Sequence, residues 1–492
     1  MKVYFSDWFE VDPALLDEYG AFNVSLLNDL PLFIDPFLLF TSQRPELQRL
    51  HEQIIEYLKF LRDRSVAGEV NDGLLKAWYM FPEVKQLWLG FSLRGNGGLG
   101  LGEDFARALN DNLHVIFTNF GREQVTRGSH LEKVCLVSDG VGKDKISDFT
   151  ANLIKEFLLE YTQAFARQHI PQHLRRTVTV DGVRFDYERR AWCPGSYELP
   201  FITNTHPFIR HDFVLLTPKD ILTKDETWIN RHELMDRFVN IANSVDDLQL
   251  RSQVSEYLTR RLSKHPTKEQ RMAAYSAALR DHPELIEWYI KQKEDSGVQA
   301  VSISNEKVAA SEDFYIRQFG ELIQRLESDT AFYDHGPDTF EECRARIMFL
   351  KEEIENRDAY RIFYHNGEPL QRESDVQILF QLTWYATRYD LNREVNNGRG
   401  PVDFKVSRGD QDKTLVEFKL AKNKQLKRNL ENQVAIYEAA NRTQQSFKVI
   451  FFFSAAEKAK VDAILKELNF TNNDSVVLID CRCDNKPSAS KA

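Results

Sequence analysis

The chain has 492 residues, of which 42% are apolar, 12% aromatic and 28% charged, with five cysteines and a formal net charge of −10. Roughly three domains of about 150 residues fit that length, and the balance excludes a disordered, collagen-like or disulfide-stapled chain. Even apolar stretches such as Val449–Phe453, which no other run exceeds, fall far short of the ~20 residues that a membrane-spanning helix needs.

The opening Met1-Lys-Val-Tyr-Phe-Ser-Asp-Trp-Phe-Glu10 places acids where an export signal needs its apolar centre. A cytoplasmic protein without a membrane partner is expected. Cys135, Cys193, Cys343, Cys481 and Cys483 are odd in number and scattered, which fits reduced thiols. Apart from His169-Ile-Pro-Gln-His173, which a proline interrupts, the histidines form no His-x-x-x-His or Cys/His set with metal-ligand spacing.

Residues 1–230 mix short apolar runs with Gly, Pro and Asn breaks, as in Leu30–Leu39 and His114–Thr118. One helix is predicted over Ile146–Gln168, and the region reads as α/β or α+β. Asp148 is read as capping the first turn of that helix. Gly95-Asn-Gly-Gly-Leu-Gly100 matches Gly-x-Gly-x-x-Gly between a predicted strand, Gln86–Phe91, and a predicted helix, Glu103–Asn110. Such a loop can hold a phosphate. No Lys-Ser/Thr or evident acidic partner accompanies it, so a flexible turn is the better reading.

From 231 to 368 the pattern is mainly helical, with apolar faces along Phe314–Leu326 and Phe340–Asn356. Residues 369–484 then give a clear succession. A helix is predicted at Ser374–Tyr389, a short strand at Leu391–Asn396 and alternating strands at Pro401–Val406 and Thr414–Leu420. A helix follows at Gln425–Ala440, a buried strand at Phe447–Phe453, a helix at Ala455–Leu468 and a strand at Ser475–Asp480. Residues 485–492 read as a flexible tail.

Alternation places Val402, Phe404 and Val406 on one face of the first hairpin strand and Asp403 and Lys405 on the other. The second strand sends Val416, Phe418 and Leu420 to the core and leaves Glu417 beside Lys419. Paired strands would bring two carboxylates together next to an ammonium. Their repulsion is relieved by a hard divalent cation, and Mg²⁺ favours one or two carboxylates with waters and phosphate oxygens. A nearby lysine can orient an attacking water or offset phosphate charge.

Gly398-Arg-Gly-Pro-Val-Asp403 followed by Val416-Glu417-Phe-Lys419 resembles the PD-(D/E)XK, or restriction-endonuclease-like, nuclease superfamily. The resemblance covers about 115 residues, and Val402 between Pro401 and Asp403 is its departure from the pattern. It implies an α/β nuclease domain with an αβββαβ core and a mixed central sheet. It implies catalytic roles for Asp403, Glu417 and Lys419, with Glu373 (or Asp375) on the preceding helix and Gln433 on the following one. Mg²⁺, with Mn²⁺ as a substitute, would be held by Asp403, Glu417 and the Phe418 main chain. Tyr437, four residues after Gln433, reads as core. A decoy, Pro82-Glu-Val-Lys85, lacks the hairpin partner and the Gln-bearing helix.

Leu391–Leu430 holds ten Lys/Arg against five acids, a basic window on an acidic chain. Arg399, Lys422, Lys424, Lys427 and Arg428 are the candidates for phosphate contacts, against a merely solvated face. The expected function is metal-dependent cleavage of nucleic acid, with DNA favoured. A C-terminal nuclease behind an unfamiliar N-terminal region resembles the layout of prokaryotic antiviral defence effectors. A non-catalytic nucleic-acid-binding module and a nucleotide-triggered nuclease with its switch near Gly95–Gly100 stay open. So does a protein partner or a second copy bound through the N-terminal or helical region.

Overall fold

In the computed structural model the chain packs into two compact units, Lys2–Glu312 and Asp313–Ala492. The structure describes every residue except 1, 28, 91–99, 117–122, 138–140, 204–210, 225, 264–265, 330–337, 358, 366–367, 370–372, 385–386, 388, 397–400, 410–411, 432–444, 472 and 487–492. The division at 312/313 falls inside the helical stretch 231–368. Among the described residues no helix is long and apolar enough to cross a membrane, and all five cysteines are free thiols.

The first unit is α+β in composition. The apolar run from Leu30 divides at Asp35: Leu32–Ile34 pairs antiparallel with Leu222–Lys224, and Asp35 caps the helix Pro36–Thr41 by accepting from the Phe37 N–H. A 22-residue helix, Pro45–Val66, buries Leu47, Leu50, Ile54, Leu58 and Leu61 along one face. A long antiparallel hairpin, Arg175–Asp186 with Ala191–Ile202, changes register between Val180 and Arg184. Gly182, at φ +62°, lies inside that irregularity.

Three local expectations are corrected here. The helix predicted over Ile146–Gln168 is two helices, Lys143–Leu153 and Lys155–His169, separated by Ile154 at φ −102°, ψ 17°. The buried Ile154 thereby re-phases the faces of Ile146 and Phe149 and of Leu158 and Phe165. The strand predicted at Gln86–Phe91 is a short 3-10 turn, Lys85–Leu87, because Trp88 takes a left-handed conformation at φ 56° that no extended strand accommodates. Most of the Gly95–Gly100 loop lies outside the described residues. Gly100 itself, at φ +63°, approaches the Phe81–Glu83 backbone so closely that a Cβ would sit 2.6 Å from the Glu83 nitrogen.

The third correction concerns Asp148, which is mid-helix rather than in the first turn. Burial, with Asp144 and Glu83 nearby, pushes its carboxyl up to about 7. Folding therefore favours the neutral acid, and the cost of charging it grows as pH rises towards that value. Asp148→Asn is expected to raise the thermal midpoint, and more at about pH 7.5 than at about pH 5. Melting curves of variant and wild type at the two pH values check this, and a variant that melts no later than the wild type at about pH 7.5 would contradict it.

In the second unit, α1 is Thr339–Asn356 and α2 is Glu373–Leu382. The strands β1 (Asp390–Asn396), β2 (Pro401–Arg408) and β3 (Asp412–Leu420) follow, then β4 (Ser446–Phe452), α3 (Ala455–Glu467) and β5 (Val476–Asp480). They form a mixed five-stranded sheet in the order β5-β4-β3-β2-β1. β1, β2 and β3 are antiparallel neighbours, whereas β3, β4 and β5 run parallel. Between β3 and β4 the chain is helical at residues 426–431, where the description stops.

Both faces of the sheet are covered, so β4 is buried along its whole length. On one face Phe380 of α2 packs against Phe404 and Phe418, with ring centroids 5.2 and 5.0 Å away, and Phe418 continues to Phe451 at 5.9 Å. On the other, Ile450 and Phe452 join Ala421, Leu426, Leu430, Val461 and Leu465. α1 adds a fully buried Arg346, paired with Glu342 and lying over the Trp384 ring at 4.3 Å.

Candidate functional site

Two strands and one helix assemble the site. β2 and β3 pair with Phe404 opposite Val416, so one further step sets Asp403 across from Glu417. Alternation carries Phe404, Val416 and Phe418 into the core and leaves Asp403, Glu417 and Lys419 on the other side. α2 begins with Glu373 and presents Gln377 one turn later on the same face.

Lys419 is the centre of the cluster. Its Nζ lies 3.0 Å from Glu417 Oε1, 3.5 Å from Glu373 Oε2 and 3.9 Å from Asp403 Oδ2. Asp403 accepts from Gln377 Nε2 at 2.8 Å on Oδ1 and from the Phe418 N–H at 2.6 Å on Oδ2. Glu373 Oε1 accepts from the Leu420 N–H and from Asn423 Nδ2, each at 3.3 Å. Glu417 is 6% exposed, and its Oε2 is buried without a hydrogen-bond partner.

Burial sets the electrostatics. It pushes the Asp403 carboxyl up to about 7; Lys419 and the Phe418 N–H pull against this, while Glu417 and Glu373 add to it. Glu417 is raised for the same first reason, with Lys419 and Lys448 opposing. Burial alone would lower Lys419, yet Asp403, Glu417 and Glu373 together hold its ammonium above the ordinary lysine value. Carboxylates kept this close together can take a hard cation or pass a proton, and the ammonium among them can balance charge on an anion.

Of the residues expected in the site, the fold brings together Asp403, Glu417, Lys419 and Glu373. Gln433, Tyr437, Arg399 and the Asp375 side chain lie outside the described residues. In an extended strand the N–H and C=O of a residue leave by the same edge, so the Phe418 carbonyl faces the side on which its N–H meets Asp403. Among the described residues, no group of three or more His, Cys, Asp or Glu is arranged to hold a metal ion. The Lys419 ammonium lies among the three carboxylates instead.

The phosphate-contact candidates separate. Lys424 and Arg428 are exposed one turn apart. Lys427 is engaged by Glu467 of α3 at 2.5 Å, an exposed pair of small worth. Lys422 is partly buried, and its ammonium is lowered by that burial against the pull of Glu457 and Glu373.

Gln377, Asn423 and Lys448 escape the sequence reading. Gln377 had a usable signal, its place one turn after Glu373. Lys448 stands beside Glu417 in the parallel β3–β4 register, which no spacing along the chain reveals. Its ammonium also lies 4.3 Å from the Phe470 ring centre.

Two family models match the chain, each described as a domain of unknown function: DUF8370 over residues 10–230 and DUF8371 over residues 339–455. The second spans α1 to the end of β4 and contains all four clustered residues. No curated protein and no solved structure matches.

Proposed function

We propose that the second unit is a metal-dependent nuclease that hydrolyses phosphodiester bonds, with DNA as the favoured substrate. The observation that carries this reading is the convergence of Asp403, Glu417 and Glu373 on Lys419 across the β2–β3 hairpin and α2. A surface ion-pair network has no need to bury Glu417 and Lys419 beside two further, partly buried carboxylates, because burying charge is costly. Sites of chemistry do concentrate such groups.

The donor set suits a small hard cation. Asp403 and Glu417 supply carboxylate oxygens, Glu417 Oε2 is without a hydrogen-bond partner, and Mg²⁺ takes one or two carboxylates and keeps its waters. When bound, such an ion supplies Lewis acidity and a more acidic water. The chain's own residues do the remainder. Asp403 and Glu417 hold the negative charge, and Lys419 orients the attacking water and opposes charge building on the phosphate. Glu373 restrains Lys419 from the side of α2. Lys424 and Arg428 grip phosphates that do not react. In the defence-effector layout, the first unit recognises the trigger or a partner.

The test is incubation of the full chain with supercoiled plasmid, linear duplex, single-stranded DNA and RNA, in Mg²⁺ or Mn²⁺ and in EDTA. Cleavage that EDTA abolishes and that Asp403→Ala lacks, with the fold of that variant intact, supports the reading. Undiminished cleavage by Asp403→Ala removes the site assignment. Tight binding without cleavage of any substrate favours a non-catalytic module.

A further inference from the structure

The hydrogen bonds around Asp403 divide between groups of different origin. The Phe418 N–H belongs to the strand and comes with the fold, whatever side chains the site carries. Gln377 is a choice. Its side chain reaches from α2 to Asp403 Oδ1 at 2.8 Å, and the residue is 5% exposed. Together the two donors occupy both oxygens of one carboxylate and fix its plane.

The chemical type of residue 377 matters as much as its position. A lysine there would neutralise Asp403 and compete with any cation offered to the cluster. A glutamate would add repulsion beside Glu373 and Glu417. A leucine would leave Oδ1 without its donor. A glutamine donates a hydrogen bond and brings no net charge, so it orients the carboxylate while leaving its negative charge available. The same helix places Glu373 against Lys419 one turn earlier, so α2 braces both sides of the site from a single rigid element.

We infer that Gln377 is a positioning residue, which holds Asp403 in the orientation needed to take a divalent cation and acts on the chemistry through that carboxylate alone. The inference rests on the nuclease reading and deepens it. Residues that orient a ligating group without touching the metal are worth about 10–100-fold in metal affinity, and that is the size of effect expected here.

The experiment titrates Mn²⁺ into the full chain by calorimetry without nucleic acid, and follows single-turnover cleavage as a function of Mn²⁺ concentration. Gln377→Leu and Gln377→Met both remove the donor at similar volume, and Gln381→Leu, one turn further along α2, is the control. Melting curves in EDTA select variants that retain the wild-type fold. The expected result is Mn²⁺ binding weakened about 10–100-fold in both Gln377 variants, with turnover recovering at saturating Mn²⁺, and no change in the control. Folded Gln377 variants that bind Mn²⁺ like a cleaving wild type overturn the inference and leave the nuclease reading standing. Turnover that stays low at saturating Mn²⁺ also overturns it, because the residue would then act in the reaction itself. A wild type that neither binds Mn²⁺ nor cleaves overturns the underlying reading as well.

Discussion

Lys419→Ala is expected to bind nucleic acid with nearly unchanged affinity and to cleave it about 10²–10⁴-fold more slowly. The side chain lies within 3.9 Å of three carboxylates and so stands where the reaction would occur, not out along the path of the bound strand. An interaction made chiefly in the transition state lowers turnover without weakening the ground-state complex. A second readout does not need cleavage at all. Removing the ammonium leaves Asp403, Glu417 and Glu373 facing one another in a largely buried setting, and breaking such a cluster costs about 3–5 kcal/mol. The variant should melt earlier in EDTA, and added Mg²⁺ should raise its melting temperature more than that of the wild type. Binding titrations in Ca²⁺, single-turnover cleavage in Mg²⁺ and paired melting curves check the three parts. Weakened binding with normal turnover would make Lys419 a phosphate grip instead.

Phe451→Asp should unfold the second unit. Phe451 is fully buried in β4, with its ring 5.9 Å from Phe418 and 5.8 Å from Phe363. A carboxylate in that place has no partner within the aromatic packing, and an unpaired buried charge costs several kcal/mol. Such a cost is a large part of a stability of about 5–15 kcal/mol. Hydrogen exchange read by mass spectrometry should show residues 313–492 losing protection. Retained slow exchange in β3 and β4 would mean that this strand is not central to the sheet.

The second unit was the more legible because its strands alternate cleanly. The parity of Val402 to Val406 and of Val416 to Leu420 separates a core face from a polar one, and the two polar faces hold the clustered Asp403, Glu417 and Lys419. Lys448 stayed hidden because it meets Glu417 through a parallel neighbour that arrives after a helical connection, and chain spacing carries no record of that register. The first unit gave less. In its long hairpin, Arg175–Asp186 alternates in burial but slips phase at Gly182–Val183, where the register shifts, so period two is interrupted. Ile154 and Trp88 depart from regular geometry singly, in runs whose composition favours continuation. Local preference yields there to packing.

β3 is the middle strand of five, and its nine residues serve two masters by turns. Its even-numbered Val416, Phe418 and Leu420 build the core, whereas its odd-numbered Glu417 and Lys419 face the carboxylate of Asp403. Under the proposed nuclease function, mutation meets two different filters at adjacent positions of one strand. A lineage that gave up cleavage would be free to let Glu417 and Lys419 drift, yet it would have to keep the residues between them in order to fold. Loss of activity would be written as decay at every second position of a strand that otherwise stands still.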